Sequence, residues 1–380
     1  MAGSGRLTMR DVAREAQVSV FTVSVVLNGK GEAHRIGPAT RERVLETARR
    51  LKYRHNLHAR HLRTGKSETV GVLAWALGQG VSLTKLHALE AAIRERGYRT
   101  LLRYRHPAEL NGVQLGFAQE FASGAVEGVL VLNSGLDYPG PLGELIETGI
   151  PVVSLEPLEG VPADVVTVDR MAGAYLLTKH LLELGHRRIC LLGGRPAAPQ
   201  SAERHLGYRQ ALAEHGCPGE EPIFVRPSTG DDEGYCVCAY EAARELLTRR
   251  PPPTAVFCSN DRYAFGVMRA LAEAGVRIPE EMAVVGFDDI EMAAFAPVPL
   301  TTVAQPVREQ AAQAVALLFE RIERPDEDRP PQVVRLKPRL VVRASCGAAL
   351  AGRGRRNENW EVPCVRPEGW LPSMTEGGFR

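Results

Sequence analysis

The sequence predicts an α/β protein, with a small all-α module at the N-terminus and a body of two lobes built on parallel sheets. Three short helical patterns fall within the first 55 residues. From Thr69 onward, short apolar runs alternate with helical patterns, as parallel strands joined by crossover helices do. These runs form two successive sets, and 380 residues are too many for one compact domain.

The first two helices are predicted from their caps. Thr8 and the acid three residues later have the spacing of a capping box, which predicts a helix from about Met9 to Ala16. Ser19 offers a second N-cap, and Asn28-Gly29 offers a stop that tolerates the left-handed conformation. These signals bracket a second helix over about 20–27, although its run of Val, Phe, Thr and Ser resembles a strand in composition.

A third helix follows in the run PATRERVLETARRLKY, where Val44, Ala48 and Leu51 share one face. Three small helices, the first two joined by a tight turn, predict a helix-turn-helix module.

The strand-like composition of the second helix then has a physical explanation. One apolar stripe, with Val23, Val26 and Leu27, faces the first helix. The opposite stripe is predicted to face outward, where the thymine methyl of a DNA major groove is an apolar feature to read. Its members are Val20, Phe21, Ser24 and Val25.

Charge is distributed unevenly along the chain. Residues 1–68 carry 14 Lys and Arg against 6 Asp and Glu, whereas the remaining 312 residues carry 33 against 39. A basic head on a slightly acidic body is typical of a nucleic-acid-binding module attached to another domain. The alternative is an ordinary solvated face on an Arg-rich helix.

The N-terminal run MRDVAREAQVSVFTVSVVLNGKG, followed by TRERVLETARRLKYRHN and ARHLRTGKSETVGVL, resembles the LacI/GalR family of bacterial transcription factors. The resemblance extends to about Cys346. Two positions depart from the family pattern: Val25 replaces a usual Arg that can read guanine, and His55 replaces a usual Pro.

The resemblance implies a DNA-binding domain over 6–55 and a hinge helix or linker over 56–68. In the family, a Leu of the hinge enters the minor groove, and Leu62 is the matching residue here. The alternative for this segment is a flexible linker. The predicted DNA-contacting residues are Thr8, Ser19, Val20, Phe21, Thr22, Ser24, Val25, Asn28, Tyr53, Asn56, Arg60, Leu62 and Arg63.

The body over 69–346 is similar in layout to periplasmic sugar-binding proteins, whose two lobes close around a small molecule. We predict two discontinuous lobes, residues 69–168 with 300–330 and residues 169–299 with 331–346. Residues 347–380 lack periodicity and are predicted to form a disordered tail.

Candidate ligand residues follow the predicted strands of the body, where polar groups reach the cleft. Arg204 and Asp288 are the leading candidates, and the resemblance implies a pocket lined by Glu156, Arg204, Asn260, Asp288 and Gln305. These groups suit a polyol or a nucleobase. Asn260 and Asp261 have an alternative interpretation as the start of a helix.

The predicted protein is thus a homodimeric regulator that binds double-stranded operator DNA as a repressor and responds to a small, sugar-like effector. The alternative is a small-molecule-binding protein without sequence-specific regulation. We expect no cofactor, metal or catalytic residue, since the chain has no GxSxG, phosphate-loop or metal-ligand spacing. Seven cysteines without a CxxC pair, and no apolar leader, predict a cytoplasmic location and disfavour a secreted solute-binding protein.

Overall fold

The structure is a computed structural model of the chain, and it divides into two compact units, residues 1–68 and 69–380. The residues that it describes are 7–27, 31–53, 66–75, 77, 80–105, 116–132, 139–196, 199–225, 234–325 and 329–348.

The amino-terminal unit contains α1 (Met9–Glu15), α2 (Val20–Leu27) and α3 (Pro38–Arg50), which confirms the three predicted helices. The carboxylate of Asp11 accepts hydrogen bonds from the Thr8 backbone N–H at 2.9 Å and from its hydroxyl at 2.7 Å. These bonds fix the start of α1, because the N–H groups at the beginning of a helix have no hydrogen-bond partner within the helix itself.

The core of this unit explains why a β-branched run forms a helix. Buried side chains of all three helices meet at its centre: Val12, Ala13 and Ala16 of α1, Val23 and Val26 of α2, and Val44 and Ala48 of α3. Tertiary burial of one face therefore overrides the modest helix propensity of Val and Thr.

The first lobe of the body has a parallel sheet of six strands. Its order is β11-β5-β4-β3-β1-β2. The strands are β1 (Thr69–Trp75), β2 (Arg99–Arg105), β3 (Gly128–Val131), β4 (Val152–Ser154), β5 (Asp164–Val168) and β11 (Val333–Leu336). The helices of this lobe are α4 (Val81–Glu95), α5 (Gly116–Glu120) with a π turn (Phe121–Ala125), α6 (Pro139–Glu147) and α12 (Val307–Glu323). Side chains of α4 and α12 form one core with the sheet, and Phe121 and α6 lie in another.

The second lobe has a parallel sheet of four strands in the order β7-β6-β8-β9. They are β6 (Ile189–Gly193), β7 (Ile223–Phe224), β8 (Ala255–Cys258) and β9 (Ala283–Val285). The helices are α7 (Arg170–Glu183), α8 (Pro199–Glu214), α9 (Tyr235–Thr248), α10 (Asp261–Glu273) and α11 (Glu291–Phe295). Residues of α7 and α8 share one core with the sheet, and residues of α9 and α10 share the other.

Two helix pairs of this lobe approach closely at glycines. A β-carbon on Gly207 of α8 would lie 2.1 Å from the Met171 carbonyl oxygen of α7. A β-carbon on Gly266 of α10 would lie 2.2 Å from the Cys236 carbonyl oxygen of α9. Glycine is therefore required at both positions for this spacing of the helices.

The late segments cross between the lobes differently from our prediction. The strand β10 (Thr302–Ala304), assigned to the first lobe, pairs antiparallel with β12 (Arg339–Val341) and belongs with the second. The strand β11, assigned to the second lobe, pairs with β5 of the first. Both strands have only three or four residues, and a pattern that short does not reveal which sheet supplies its backbone partners. Between them, α12 packs on the first lobe.

None of the helices in the described part of the chain combines the length and apolar character that a membrane crossing requires.

Candidate DNA-contacting face and ligand site

The outward face of α2 carries two exposed apolar side chains. Val20 is 40% exposed and Phe21 is 64% exposed, although large apolar side chains are usually buried. The Phe21 ring packs edge-on against His34, with 5.7 Å between ring centroids. This contact orients an aromatic ring on the surface of the helix.

Val25 corrects our prediction of the outward face. Only 8% of this residue is exposed, so it does not share the exposure of Val20 and Phe21. At about 100° per residue, Val25 lies about 140° around the helix from Val20 and about 100° from the buried Val26, which places it on the border between the two faces. The apolar surface that α2 presents is thus narrower than predicted.

The other predicted contacts of α1 and α2 are tied to helix starts. Thr8 begins α1, and Ser19 Oγ accepts a hydrogen bond from the Thr22 backbone N–H at 3.0 Å. The hydroxyls of Ser19 and Thr22 also lie 2.9 Å apart. Ser24 is half-buried.

Tyr53 packs, half-buried, against the core of the amino-terminal unit, so a structural role accompanies any contact with DNA. Five predicted contacts lie outside the described residues: Asn28, Asn56, Arg60, Leu62 and Arg63. The hinge up to residue 65 and the tail from residue 349 also lie outside them.

Several cations of this unit have no carboxylate partner among the described residues: Arg10, Arg35, Arg49 and Lys52. By contrast, Arg14, Arg41 and Arg50 pair with Asp11, Glu32 and Glu15. The unpaired cations can neutralise phosphates.

In the body, the structure brings three of the predicted ligand residues into direct contact. Arg204 of α8 lies 3.3 Å from Asp288, which follows β9, and the amide of Gln305 donates to the same carboxylate oxygen at 2.6 Å. The Arg204 guanidinium also lies over the ring of Phe287, with 4.4 Å to the centroid. Burial raises the pKa of Asp288, while Arg204 and Gln305 act in the opposite direction.

Glu156 lies in the same network but reaches it through residues that the sequence did not reveal. Its carboxylate binds Arg170 at the start of α7, and Lys85 of α4 lies 3.4 Å away. Arg170 also lies 3.4 Å from Glu203 of α8. Burial lowers the pKa of Lys85, and Glu156 opposes that shift.

These contacts join the two lobes. Lys85 and Glu156 belong to the first lobe, whereas Arg170, Glu203 and Arg204 belong to the second. No pattern in the sequence identified Lys85, Arg170 or Glu203: Lys85 and Glu203 lie within α4 and α8, and Arg170 is the first residue of α7. Lys85 could have been identified from the sequence, because a lysine on the helix face that packs against a sheet is unusual.

The turn after β9 holds a strained backbone at this site. Asp288 has a φ of 119° and Asp289 has a φ of 53°, and residues other than glycine rarely adopt positive φ values. Asp289 pairs with Arg343 at 2.7 Å, and Asp261 accepts a hydrogen bond from the Ile290 N–H at 2.9 Å. The surrounding contacts therefore hold Asp288 toward Arg204 at the expense of local backbone strain.

Asn260 and Asp261 have structural roles. Asn260 Oδ1 accepts a hydrogen bond from the Tyr263 N–H at 2.8 Å, which confirms the alternative interpretation as a helix cap. Asp261 is buried, and its second carboxylate oxygen accepts a hydrogen bond from the Thr302 hydroxyl at 2.5 Å. Burial raises the pKa of Asp261 well above its ordinary value.

Three polar atoms of the network are buried without a hydrogen-bond partner among the described residues: Glu156 Oε2, Arg204 Nε and Gln305 Oε1. Such atoms are rare in native proteins because leaving them unpaired costs free energy. Glu156 Oε2 and Gln305 Oε1 are acceptors and Arg204 Nε is a donor, so a polar molecule bound in this cleft can supply their missing hydrogen-bond partners.

The second lobe also carries an apolar groove on its surface, with a volume of about 550 Å³. Phe265 and Met268 of α10 line it together with Met292 and Phe295 of α11. Phe295 is 73% exposed and Met292 is 58% exposed.

Comparison with known sequences gives two matching family models. Residues 8–56 match the model for "Bacterial regulatory proteins, lacI family", and residues 178–346 match the "Periplasmic binding protein-like domain". The repressor PurR of Vibrio atlanticus is 33% identical over 344 residues, covering 89% of this chain and 98% of the relative. The PurR repressor of Photobacterium profundum is 32% identical over 342 residues, with 89% and 98% covered.

Comparison with solved structures agrees with the sequence comparison. The CelR–cellobiose complex has a TM-score of 0.63 at 31% identity and covers 90% of this chain and all of that chain. An Enterococcus faecium regulator of the LacI family with bound ribose has a TM-score of 0.62 at 28% identity, covering 73% of this chain and 98% of its own.

Proposed function

Because this chain belongs to the LacI family of bacterial regulatory proteins, we propose that it is a sequence-specific DNA-binding repressor of transcription whose operator affinity is set by a small-molecule effector. It acts by binding and carries out no chemistry on its ligand. Its place of action is the cytoplasm, where operator DNA is found.

The exposed apolar face of α2 carries this proposal. A helix-turn-helix module places its second helix in the major groove, and Val20 and Phe21 are the side chains that α2 exposes there. Apolar side chains contact thymine methyl groups, so this helix selects sequence by shape and methyl position more than by hydrogen bonds. The unpaired cations of the unit then contribute affinity through phosphates.

The effector lies at the junction of the two lobes of the body. Glu156 and Lys85 from one lobe and Arg204, Asp288 and Gln305 near the other supply hydrogen-bonding groups to one cleft. A ligand that contacts both lobes stabilises one degree of lobe closure, and by linkage it changes the affinity for operator. A sugar or related metabolite fits these groups, and the solved relatives with cellobiose and ribose bind ligands of that class.

The apolar groove of the second lobe supports a homodimer. Exposed patches of this kind mark interaction surfaces, and a helix-turn-helix protein that reads two half-sites needs a second copy of itself. We therefore assign the groove around Met292 and Phe295 to contact between two copies of this chain. Sedimentation of the purified protein over a range of concentrations tests this assignment.

The deciding experiment is selection of bound sequences from random duplex DNA by the purified full-length protein, without ligand and at a stated salt concentration. Enrichment of a two-fold-symmetric site supports a dimeric regulator. The alternative function is a small-molecule-binding protein without sequence-specific regulation. It would be supported if the protein binds a ligand but no DNA sequence is enriched, either with or without the ligands of its relatives.

A further inference from the structure

Arg262, at the start of α10, is a cation that the proposed function does not use. Its Nη1 is buried and has no hydrogen-bond partner among the described residues. Its neighbour in sequence, Asp261, forms no ion pair with it; the two oxygens of that carboxylate accept hydrogen bonds from the Thr302 hydroxyl and the Ile290 N–H. The residue as a whole is half-buried, and a buried N–H of a guanidinium that has no acceptor costs free energy unless a bound group supplies one.

Several contacts place Arg262 at the cleft between the lobes. A β-carbon built on Gly80, the N-cap of α4 in the first lobe, would lie 3.9 Å from Cδ of Arg262. The guanidinium carbon lies 5.3 Å from the ring centroid of Tyr235, the first residue of α9. Arg262 thus reaches from the second lobe to the helix that carries Lys85.

The charges of Arg262 and Arg204 both act on Tyr263, the residue that follows Arg262. Burial raises the pKa of the Tyr263 phenol, and the nearby guanidinium groups of Arg204 and Arg262 both oppose that shift. The Tyr263 ring also packs against Tyr235, with 5.1 Å between centroids. Arg262 therefore lies beside the Tyr235–Tyr263 ring pair, and Arg204 is near enough for its charge to act on the Tyr263 phenol.

The charges of this region do not balance. The cations Lys85, Arg170 and Arg204 form ion pairs with Glu156, Glu203 and Asp288. Arg262 adds a fourth cation that forms no ion pair among the described residues, and burial raises the pKa of the neighbouring Asp261 well above its ordinary value. Glu203 is moreover shared with a further cation, Arg335, at 3.3 Å. The cleft therefore has an excess of positive charge, and it combines two unpaired guanidinium donors with two unpaired acceptor oxygens.

We infer that the ligand of this cleft is an anionic polyol, a sugar acid or a sugar phosphate, whose anionic group binds Arg262 and Arg204 and whose hydroxyls bind Glu156 and Gln305. Guanidinium groups bind carboxylate and phosphate through paired charge-assisted hydrogen bonds. A carboxylate or amide oxygen without a donor accepts a bond from a sugar hydroxyl. The inference rests on the proposed ligand site and narrows its ligand class.

The test compares matched ligands on the full-length protein by isothermal titration calorimetry and thermal unfolding. The pairs are glucose with gluconate and ribose with ribose 5-phosphate, and inorganic phosphate serves as the smallest anion. We expect at least one acidic member to bind at least about tenfold more tightly than its neutral partner. Preference for gluconate or for ribose 5-phosphate distinguishes a carboxylate from a phosphate.

Variants assign that preference to Arg262. Arg262→Met should remove the advantage of the acid and leave the neutral sugar unaffected, while Arg262→Lys, which keeps charge but loses the planar fork, should retain part of it. Arg209→Met is the matched control, because Arg209 lies in the same lobe, on α8, and its side chain is exposed. Thermal unfolding without ligand verifies that each variant is folded.

Three results would overturn the inference: tighter binding of the neutral members, no binding of any acid at millimolar concentration, or anion binding that Arg262→Met leaves unchanged. The last result would assign the anion to another basic surface. Operator selection on the same preparation separates the two proposals. A selected operator with a neutral effector refutes only the anionic class, and acid binding without operator selection refutes only the regulator.

Discussion

Truncation of Phe21 to alanine should change which sequences the protein prefers while leaving the amino-terminal unit folded. The side chain is 64% exposed, so its removal loses little buried surface, and we expect the free energy of unfolding to change by less than about 0.5 kcal/mol. In the proposed complex with DNA, the same ring is buried against base edges. Loss of a contact at one base pair typically costs about 1–3 kcal/mol, or roughly 5- to 150-fold in affinity.

The assay combines this variant with a change in the DNA. Replacing thymine by uracil in the selected operator removes only the methyl group. Fluorescence anisotropy should show weaker binding of the wild type to the uracil operator but little further loss for Phe21→Ala, because the two changes remove the same contact. Val23→Ala is the control for folding, since Val23 is fully buried and its truncation should destabilise the unit by about 1.5–3 kcal/mol.

Two outcomes would refute the reasoning. If Phe21→Ala weakens binding to operator and to unrelated duplex equally, the ring supports general affinity and not sequence reading. If uracil replacement weakens the variant as much as the wild type, the methyl groups are read elsewhere.

Three further predictions concern the body. Arg204→Ala should weaken effector binding by about 10- to 100-fold, because it removes a charge-assisted donor, while operator affinity without effector stays within about threefold; loss of both in binding assays would indicate a structural role. Phe295→Asp should raise the dimer dissociation constant at least about tenfold in sedimentation, since it introduces charge into the apolar groove, and an unchanged constant would exclude that groove as the interface. Burial raises the pKa of Asp261 above its ordinary value of 3.8, so the folded protein keeps a proton on this carboxyl at pH values where the unfolded chain has lost it. The free energy of unfolding that depends on this proton therefore falls as the pH rises. The urea-derived unfolding free energy of wild type minus that of Asp261→Asn should therefore decrease from about pH 4 to about pH 7, and a constant difference would contradict the shift.

The sequence was most informative where a local signal and a tertiary requirement agree. The caps at Thr8 and Ser19 gave the starts of α1 and α2, because a cap depends on a few neighbouring residues only. Val25 was misassigned because it lies at the border of two faces, where small differences in the surrounding packing decide burial.

Part of the candidate ligand site was predicted from the sequence, Asp288 from the strand that it follows and Arg204 and Gln305 with the help of the family resemblance. Arg204, Asp288 and Gln305 meet as the family resemblance implies. Lys85 and Arg262 come from helices of opposite lobes, about 180 positions apart in the chain, and only the folded arrangement brings them to one cleft. The same limit applies to β10 and β11, since three or four residues carry too little pattern to identify the sheet that they join.

The late segments of the chain pass between the two lobes several times, so neither lobe can be exchanged as one continuous piece of sequence. A fragment taken at 178–346, the range of one family-model match, would carry α12 and β11 without the remainder of the sheet that they complete. The apolar face of α12, with Ala314 and Leu318, would then be left without cover and prone to aggregate. Each lobe is built from two separate stretches of the chain, so recombination that aims to graft a new ligand preference onto this repressor must exchange both stretches of a lobe together, or replace side chains within the cleft one at a time.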